Sequence, residues 1–352
     1  MNTYFLNYLM SYFRTNKTTT SAQLLHVLQG KRTPSMFYLT EINHWHHGFS
    51  TFPNITLQDL EKVIHHFTKK NGLIEVGKGY RLTEFGTENL TAYFEEFYFP
   101  KHITRFTNVT IRNVFWERYQ LFTQVLSETS YENKRYVPII KHPQHQESIR
   151  LLFQQFKTDK TPLLVKWIEE QQFLFSNLEE ERASRLFSHL SGHEVVGNTK
   201  LQTQEKVGMV HFEYDFYHLD SIELILQCIK KHKKELPILY AMFKQLNEET
   251  FFGLSASTYQ TFQLLLKGHT ISEVARIRYL KENTIREHIL EIAFVFDDFP
   301  YQKFIPQPIY EKLKKQFEKV DNLTYKEVVS ANEDIEFMHY RLAELERMRK
   351  ND

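Results

Sequence analysis

A single cysteine, Cys228, stands in a chain of 352 residues. One thiol excludes a disulfide framework within the chain and any cysteine-based structural zinc site; the expected role of Cys228 is that of a small buried hydrophobe. Eleven glycines and ten prolines are too few for a turn-rich β-barrel or a disordered tail. An excess of charge is missing too. Lys plus Arg is 44 and Asp plus Glu is 43, a formal net charge of +1. So balanced a field excludes a histone-like or polybasic protein, and any nucleic-acid contact has to come from a local patch. No apolar run approaches the roughly 18 residues that span a membrane. The opening segment, MNTYFLNYLMSYFRT, has neither the basic n-region nor the A-x-A site of a signal peptide. Its Phe5, Leu6, Leu9, Met10 and Phe13 recur at helical spacing and predict a docking helix. The expected location is the cytoplasm, without membrane contact.

Catalytic signatures are absent as well. There is no G-x-x-x-x-G-K-[ST] loop for a triphosphate, no G-x-S-x-G elbow and no G-x-G-x-x-G ahead of a helix. No catalytic residue and no cofactor is assigned, and the chain is read as non-enzymatic. Seventeen histidines invite a metal reading, notably His44, His46 and His47, and the pair His65 and His66. A metal site needs three or four converging ligands with supporting partners, and no cysteine or paired carboxylate accompanies these. His193-Glu194 lacks the second histidine of a zincin motif. No metal is expected.

What is present is aromatic and helical. Phe, Tyr and Trp make up 15% of the residues, with 30 Phe and 19 Tyr, a large payload for cores. The order of signals predicts a mostly α protein in three parts: residues 1–99, 100–250 and 251–352. In the first part, Ser21 is placed to cap a helix through Leu24, Val27 and Leu28. Pro34 suits the start of a second helix, and Thr56 with Asp59 forms a capping box before a third. That helix ends at Asn71-Gly72, with Gly72 as the left-handed residue. A hairpin follows, Leu73 to Val76 and Tyr80 to Leu82 around Gly77-Lys78-Gly79. Three helices and a two-stranded wing are the order of a winged helix. The middle part is helical, with a basic run, Lys230 to Lys234, read as a solvated helix end.

The third part carries the strongest signal. Thr270 and Glu273 make a capping box. Ala275 supplies the small residue of a helix-turn-helix crossing, Leu280 the apolar residue of the turn, and Ile285 the inward β-branched residue ten positions after the alanine. The N-terminal part of the second helix is the part that enters a major groove; here it offers Lys281, Asn283, Thr284, Arg286 and Glu287 as DNA contacts. Arg pairs with guanine and Asn with adenine. Tyr279 occupies the turn position where glycine is common, which predicts a strained or altered turn. Residues 258–296 hold five Lys/Arg and four Glu, so the local field is weak. In the winged part, Lys31, Arg32, Lys69, Lys70, Lys78 and Arg81 are candidates for phosphate contacts, with Lys31, Arg32, Lys78 and Arg81 kept as a second, weaker site. A protein-docking winged helix fits that part equally well.

The residues also carry a family resemblance. Gln23 to Lys31, then Gly72-Leu73 through Tyr80-Arg81-Leu82-Thr83 and Gly86, is similar to the winged-helix (RQC) domain of RecQ-type helicases. Leu254 to Thr258, Gly268 to Arg278 and Leu280 to His288 look like the helix-turn-helix at the C-terminus of some such helicases. Both parts, in this order, resemble the YpbB family of Gram-positive bacteria, which is associated with a RecQ-like helicase through neighbouring genes. The resemblance implies a DNA-binding accessory protein that assists a RecQ-like helicase in repair or recombination. The helicase motor is absent, the zinc element of many relatives is excluded by the single cysteine, and the wing tip Gly77-Lys78-Gly79 lacks a strand-separating aromatic. Two alternatives stand beside this reading: a helix-turn-helix transcription regulator, and an interaction scaffold that never touches DNA.

Overall fold

The computed structural model describes residues 2–156, 162–318, 323–331 and 334–351. Among them are eighteen α-helices and one two-stranded antiparallel sheet, a mostly α architecture. The chain groups into two compact units, residues 1–30 with 43–252, and residues 31–42 with 253–352. The N-terminal stretch contains α1 (Thr3–Met10), α2 (Ser21–Leu28), α3 (Pro34–Asn43), α4 (Leu57–Lys69), β1 (Leu73–Val76), β2 (Gly79–Leu82) and α5 (Glu84–Glu96). Next come α6 (Arg112–Ser130), α7 (Pro143–Phe156), α8 (Leu163–Ser176), α9 (Glu180–Phe187), α10 (Lys200–Val207), α11 (His211–Lys231) and α12 (Pro237–Glu249). The C-terminal stretch has α13 (Ala256–Leu266), α14 (Ile271–Arg278), α15 (Glu282–Val295), α16 (Gln307–Phe317), α17 (Tyr325–Ala331) and α18 (Phe337–Asn351).

The two units cut across the expected parts 1–99, 100–250 and 251–352. The middle helices share the first unit with α1, α2, α4 and the hairpin, whereas residues 31–42 fall in the second. The physical reason lies in two side chains near the start of that segment. Phe37 is fully buried and stacks on Phe294, with ring centroids 5.8 Å apart. The Arg32 guanidinium donates to Glu291 at 2.7 Å and to the Gly253 carbonyl at 2.6 Å. Of the three helices expected ahead of the wing, α4 packs on the hairpin and α2 on α4, while α3 falls almost wholly in the other unit.

Local signals determine the ends of these elements. Thr56 and Asp59 close the expected capping box on α4. On α2 the cap is Thr20, not Ser21: Thr20 has the extended backbone a cap requires and exchanges hydrogen bonds with Gln23. At the end of α4 the left-handed residue is Asn71, φ +57°, one position before the expected Gly72. Asn tolerates that region better than most side chains do, and Gly72 contributes instead its amide, which donates to the Phe67 carbonyl at 2.8 Å. The hairpin pairs Val76 with Gly79 around Gly77-Lys78, and Tyr80 bridges to Thr19. A Cβ on Gly79 would stand 2.7 Å from the Thr19 carbonyl oxygen, so only glycine admits that bridge.

The first unit is organised by α11. Ile222, Ile225, Leu226 and Ile229 are buried against Phe115, Tyr119 and Phe122 of α6 and Leu239 and Met242 of α12. Half-buried Cys228 packs on this core, and burial pushes its thiol pKa up. The N-terminal helix docks as expected, but through tyrosines too: Tyr8 stacks on Phe216 at 4.0 Å and its hydroxyl bonds His47 Nδ1 at 2.7 Å. His47 is buried, and desolvation drives its pKa down to about 3, so it is a neutral core residue. Among the described residues no group of three or more His, Cys, Asp or Glu side chains is arranged to hold a metal ion. No helix there is long and apolar enough to cross a membrane.

Candidate nucleic-acid interface

The second unit builds its site on three helices. Thr270 accepts from the Glu273 amide and Glu273 accepts from the Thr270 amide at 2.8 Å, which fixes the start of α14. Val274 and Ala275 are buried on α14, and Ile285 and Ile289 on α15. The small, buried Ala275 lets the two helices cross closely, as the spacing Ala275–Leu280–Ile285 predicts. On the other side Arg278 donates to the Ser257 carbonyl at 2.7 Å and to Thr261 Oγ1, tying α14 to α13.

The turn between α14 and α15 is a Schellman motif. The Leu280 amide donates to the Ala275 carbonyl at 2.9 Å and the Tyr279 amide to the Arg276 carbonyl at 3.3 Å. That geometry puts Tyr279 at φ +54°, ψ +41°. For a residue other than glycine the left-handed region costs roughly 1–2 kcal/mol. The expected strain is present, and the Tyr279 ring is 96% exposed. Lys281 then starts α15 without a side-chain cap, so the first amides of the helix remain open to an anion.

The five expected contact residues occupy this end of α15. Lys281, Asn283 and Glu287 are exposed; Thr284 and Arg286 are half-buried. Lys281 and Asn283 point to solvent, free for phosphate or base edges. Glu287 can accept only from a donor such as the cytosine amino group, and otherwise opposes phosphate. Arg286 is engaged within its own unit. Its Nε donates to Glu336 at 2.7 Å, its second terminal nitrogen to the other Glu336 oxygen at 3.2 Å, and its first to Glu282 at 3.0 Å. These two acids push the guanidinium pKa further up, so its charge is permanent and locally balanced. Glu282 in turn accepts from Ser272, and hydrogen bonds from Ser272 and Arg286 push its own pKa down.

The weaker set divides between the units. Lys31 and Arg32 belong to the second, Lys78 and Arg81 to the first. Lys31 and Lys78 are exposed, Lys78 at the hairpin tip. Arg81 is half-buried and donates to Thr18 Oγ1 at 2.9 Å. Lys69 and Lys70 are exposed at the end of α4. Arg32 faces Glu291, which also accepts from the Ser255 amide at 2.9 Å and from Thr258 Oγ1 at 2.6 Å. A buried carboxylate held by donors from Arg32, Ser255 and Thr258 is a structural anchor, and Arg32 is its counter-charge.

Two residues of this region were not singled out from the sequence. Arg276 is exposed beside Tyr279 and the expected contacts, and its only sequence signal is adjacency to the motif. Glu336 lies fifty positions after Arg286, and no local pattern marks such a pair.

No solved structure matches the chain. Residues 257–344 match the model of a helix-turn-helix domain; the match runs past α15 and includes Glu336. Over 300 residues, 81% of this chain and 81% of the relative, the chain is 23% identical and thus similar to Protein YpbB of Bacillus subtilis (strain 168).

Proposed function

We propose that this protein binds DNA through the N-terminal end of α15 and acts as a non-enzymatic accessory factor. The observation that carries the reading is the α14–α15 corner: a helix-turn-helix crossing at Ala275 that leaves Lys281, Asn283 and an uncapped helix start facing solvent. In such motifs the N-terminal residues of the second helix meet base edges while the first helix crosses the backbone. Lys281 serves as a phosphate contact, and Asn283 is placed to read adenine. Arg286 adds a guanine contact when it leaves Glu336.

A net charge of +1 releases few counterions, so affinity at physiological salt is low for the chain alone. A partner that itself holds DNA raises the effective concentration of the site to the order of mM for a short tether. The sequence resemblance favours a RecQ-like helicase in that role, within repair or recombination in the cytoplasm.

The test is a titration of the full chain on duplex DNA by fluorescence anisotropy at several salt concentrations. Lys281→Ala should weaken binding and lower the salt slope by about one, with the fold unchanged. An affinity and slope equal to those of the parent would remove the recognition-helix reading. Pull-down with a RecQ-like helicase and a fork-unwinding assay test the partner; absence of both association and effect leaves the transcription-regulator reading ahead.

A further inference from the structure

Tyr279 is a residue that the fold does not use. It holds a left-handed backbone conformation, φ +54°, that glycine adopts without strain. Its ring is 96% exposed, so it buries almost nothing in return. The turn itself is held by main-chain bonds, Leu280 to Ala275 and Tyr279 to Arg276, which any residue but proline can make at 279. The turn dictates the left-handed backbone, but nothing in the fold explains why a tyrosine rather than a glycine holds it, and such outliers cluster where a ligand is clamped. The backbone that carries the ring is fixed by that turn. Tyr279 stands on a turn locked between two helices, two positions before exposed Lys281 and three after exposed Arg276.

An aromatic platform flanked by cations is the arrangement that takes an unpaired nucleobase. In a duplex the base faces are covered by their neighbours, and a protein meets only edges in the grooves. A free π-face exists where a strand is single, and bases there stack on exposed aromatic rings while nearby cations follow the phosphates. We propose that Tyr279 stacks an unpaired base, so that the α14–α15 corner selects DNA at a junction between duplex and single strand. This rests on the DNA-binding reading of α15 and adds to it the structure of the DNA that is preferred.

The experiment compares the full chain on a blunt duplex and on the same duplex with a single-stranded thymine overhang, by anisotropy at one fixed salt concentration. The parent should prefer the overhang by about five- to a hundredfold, the range of one stacked base. Tyr279→Gly should abolish that preference and leave blunt-duplex affinity within about twofold. Its melting temperature should be unchanged or higher, because glycine relieves the strain. Tyr279→Trp should keep the preference. A parent that binds the duplex without preferring the overhang, or a glycine variant that retains the preference, overturns the stacking role and leaves duplex recognition standing. Loss of duplex binding in Tyr279→Gly also overturns it, since the ring would then serve the groove or the corner itself. No binding of the parent to either DNA defeats the underlying reading, and a role for Tyr279 in DNA stacking falls with it.

Discussion

Arg286 cannot donate to a guanine while both of its edges are held by Glu336 and Glu282. Glu336→Gln isolates the larger restraint, because glutamine keeps the size and one acceptor oxygen but removes the charge. The Arg286 side chain is 23% exposed and that of Glu336 46%. A pair this open to water is screened, so its value lies near about 0.5–1 kcal/mol despite the bidentate geometry. If Arg286 has to leave Glu336 to reach a base, that energy is subtracted from binding, and the substitution should raise duplex affinity by about two- to fivefold. The gain should shrink at high salt, as expected for a screened pair. Removing any acid near a DNA face also raises affinity through the general field, so a double-mutant cycle is needed. In an Arg286→Ala background, Glu336→Gln should gain nothing. An equal gain in both backgrounds, or none in the parent, would refute the release of Arg286.

Three further outcomes follow from the packing. Ala275→Leu overpacks the α14–α15 crossing, at a cost of about 1–3 kcal/mol, and should lower the melting temperature; a variant as stable as the parent would place Ala275 on the surface. Arg32→Ala leaves Glu291 buried without its counter-charge and should destabilise the second unit by about 1–3 kcal/mol, while the salt slope of DNA binding stays unchanged; a slope lowered by one would restore Arg32 as a phosphate contact. Glu170 is buried and accepts the Ile238 and Leu239 amides at the start of α12, and burial raises its pKa from 4.5 to about 7. An acid raised on folding stabilises below its unfolded pKa and loses that contribution as pH climbs through the folded value. Urea melts of the parent and Glu170→Gln should therefore diverge by about 2–3 kcal/mol between pH 4.5 and 8, the parent losing ground, and parallel curves would disprove the assignment.

What the sequence made legible was local. Capping boxes at Thr56–Asp59 and Thr270–Glu273 span three residues, and the hairpin was legible as two short β segments around a glycine tip, although Gly79 belongs to the second strand, paired with Val76, rather than to the tip. The small–apolar–branched series Ala275, Leu280 and Ile285 located the helix crossing. The destination of α3 was not legible, because it is decided by Phe37 on Phe294 and Arg32 on Glu291, about 260 positions away. Neither contact leaves a periodicity in the chain. The apolar spacing of Phe5, Leu6, Leu9, Met10 and Phe13 leaves out the tyrosines of α1, although Tyr4 and Tyr8 are buried more completely than Phe5. Their hydroxyls find partners in the Tyr98 carbonyl and His47, and a satisfied hydroxyl removes the cost that keeps tyrosine at surfaces. Of the site, the exposed face was legible from the motif, but the engagement of Arg286 was not.

The anchoring of α15 limits how far DNA recognition can extend along it. From Ile289 to Val295 every residue is buried. Glu291, in the middle, is fixed by Arg32, Ser255 and Thr258. At its C-terminal end, Arg349 of α18 donates to the Ala293, Phe294 and Phe296 carbonyls at 2.8–2.9 Å and satisfies acceptors that a helix end leaves open. It also pairs with Glu41 at 3.2 Å. The C-terminal half of α15 is therefore core, and only residues 281–287 remain to enter a groove. A segment of seven residues is about two helical turns, enough to reach three or four base pairs but not a long site. Longer specificity has to come from a second copy, a partner, or the shape of the DNA beside the corner, where Tyr279 stands.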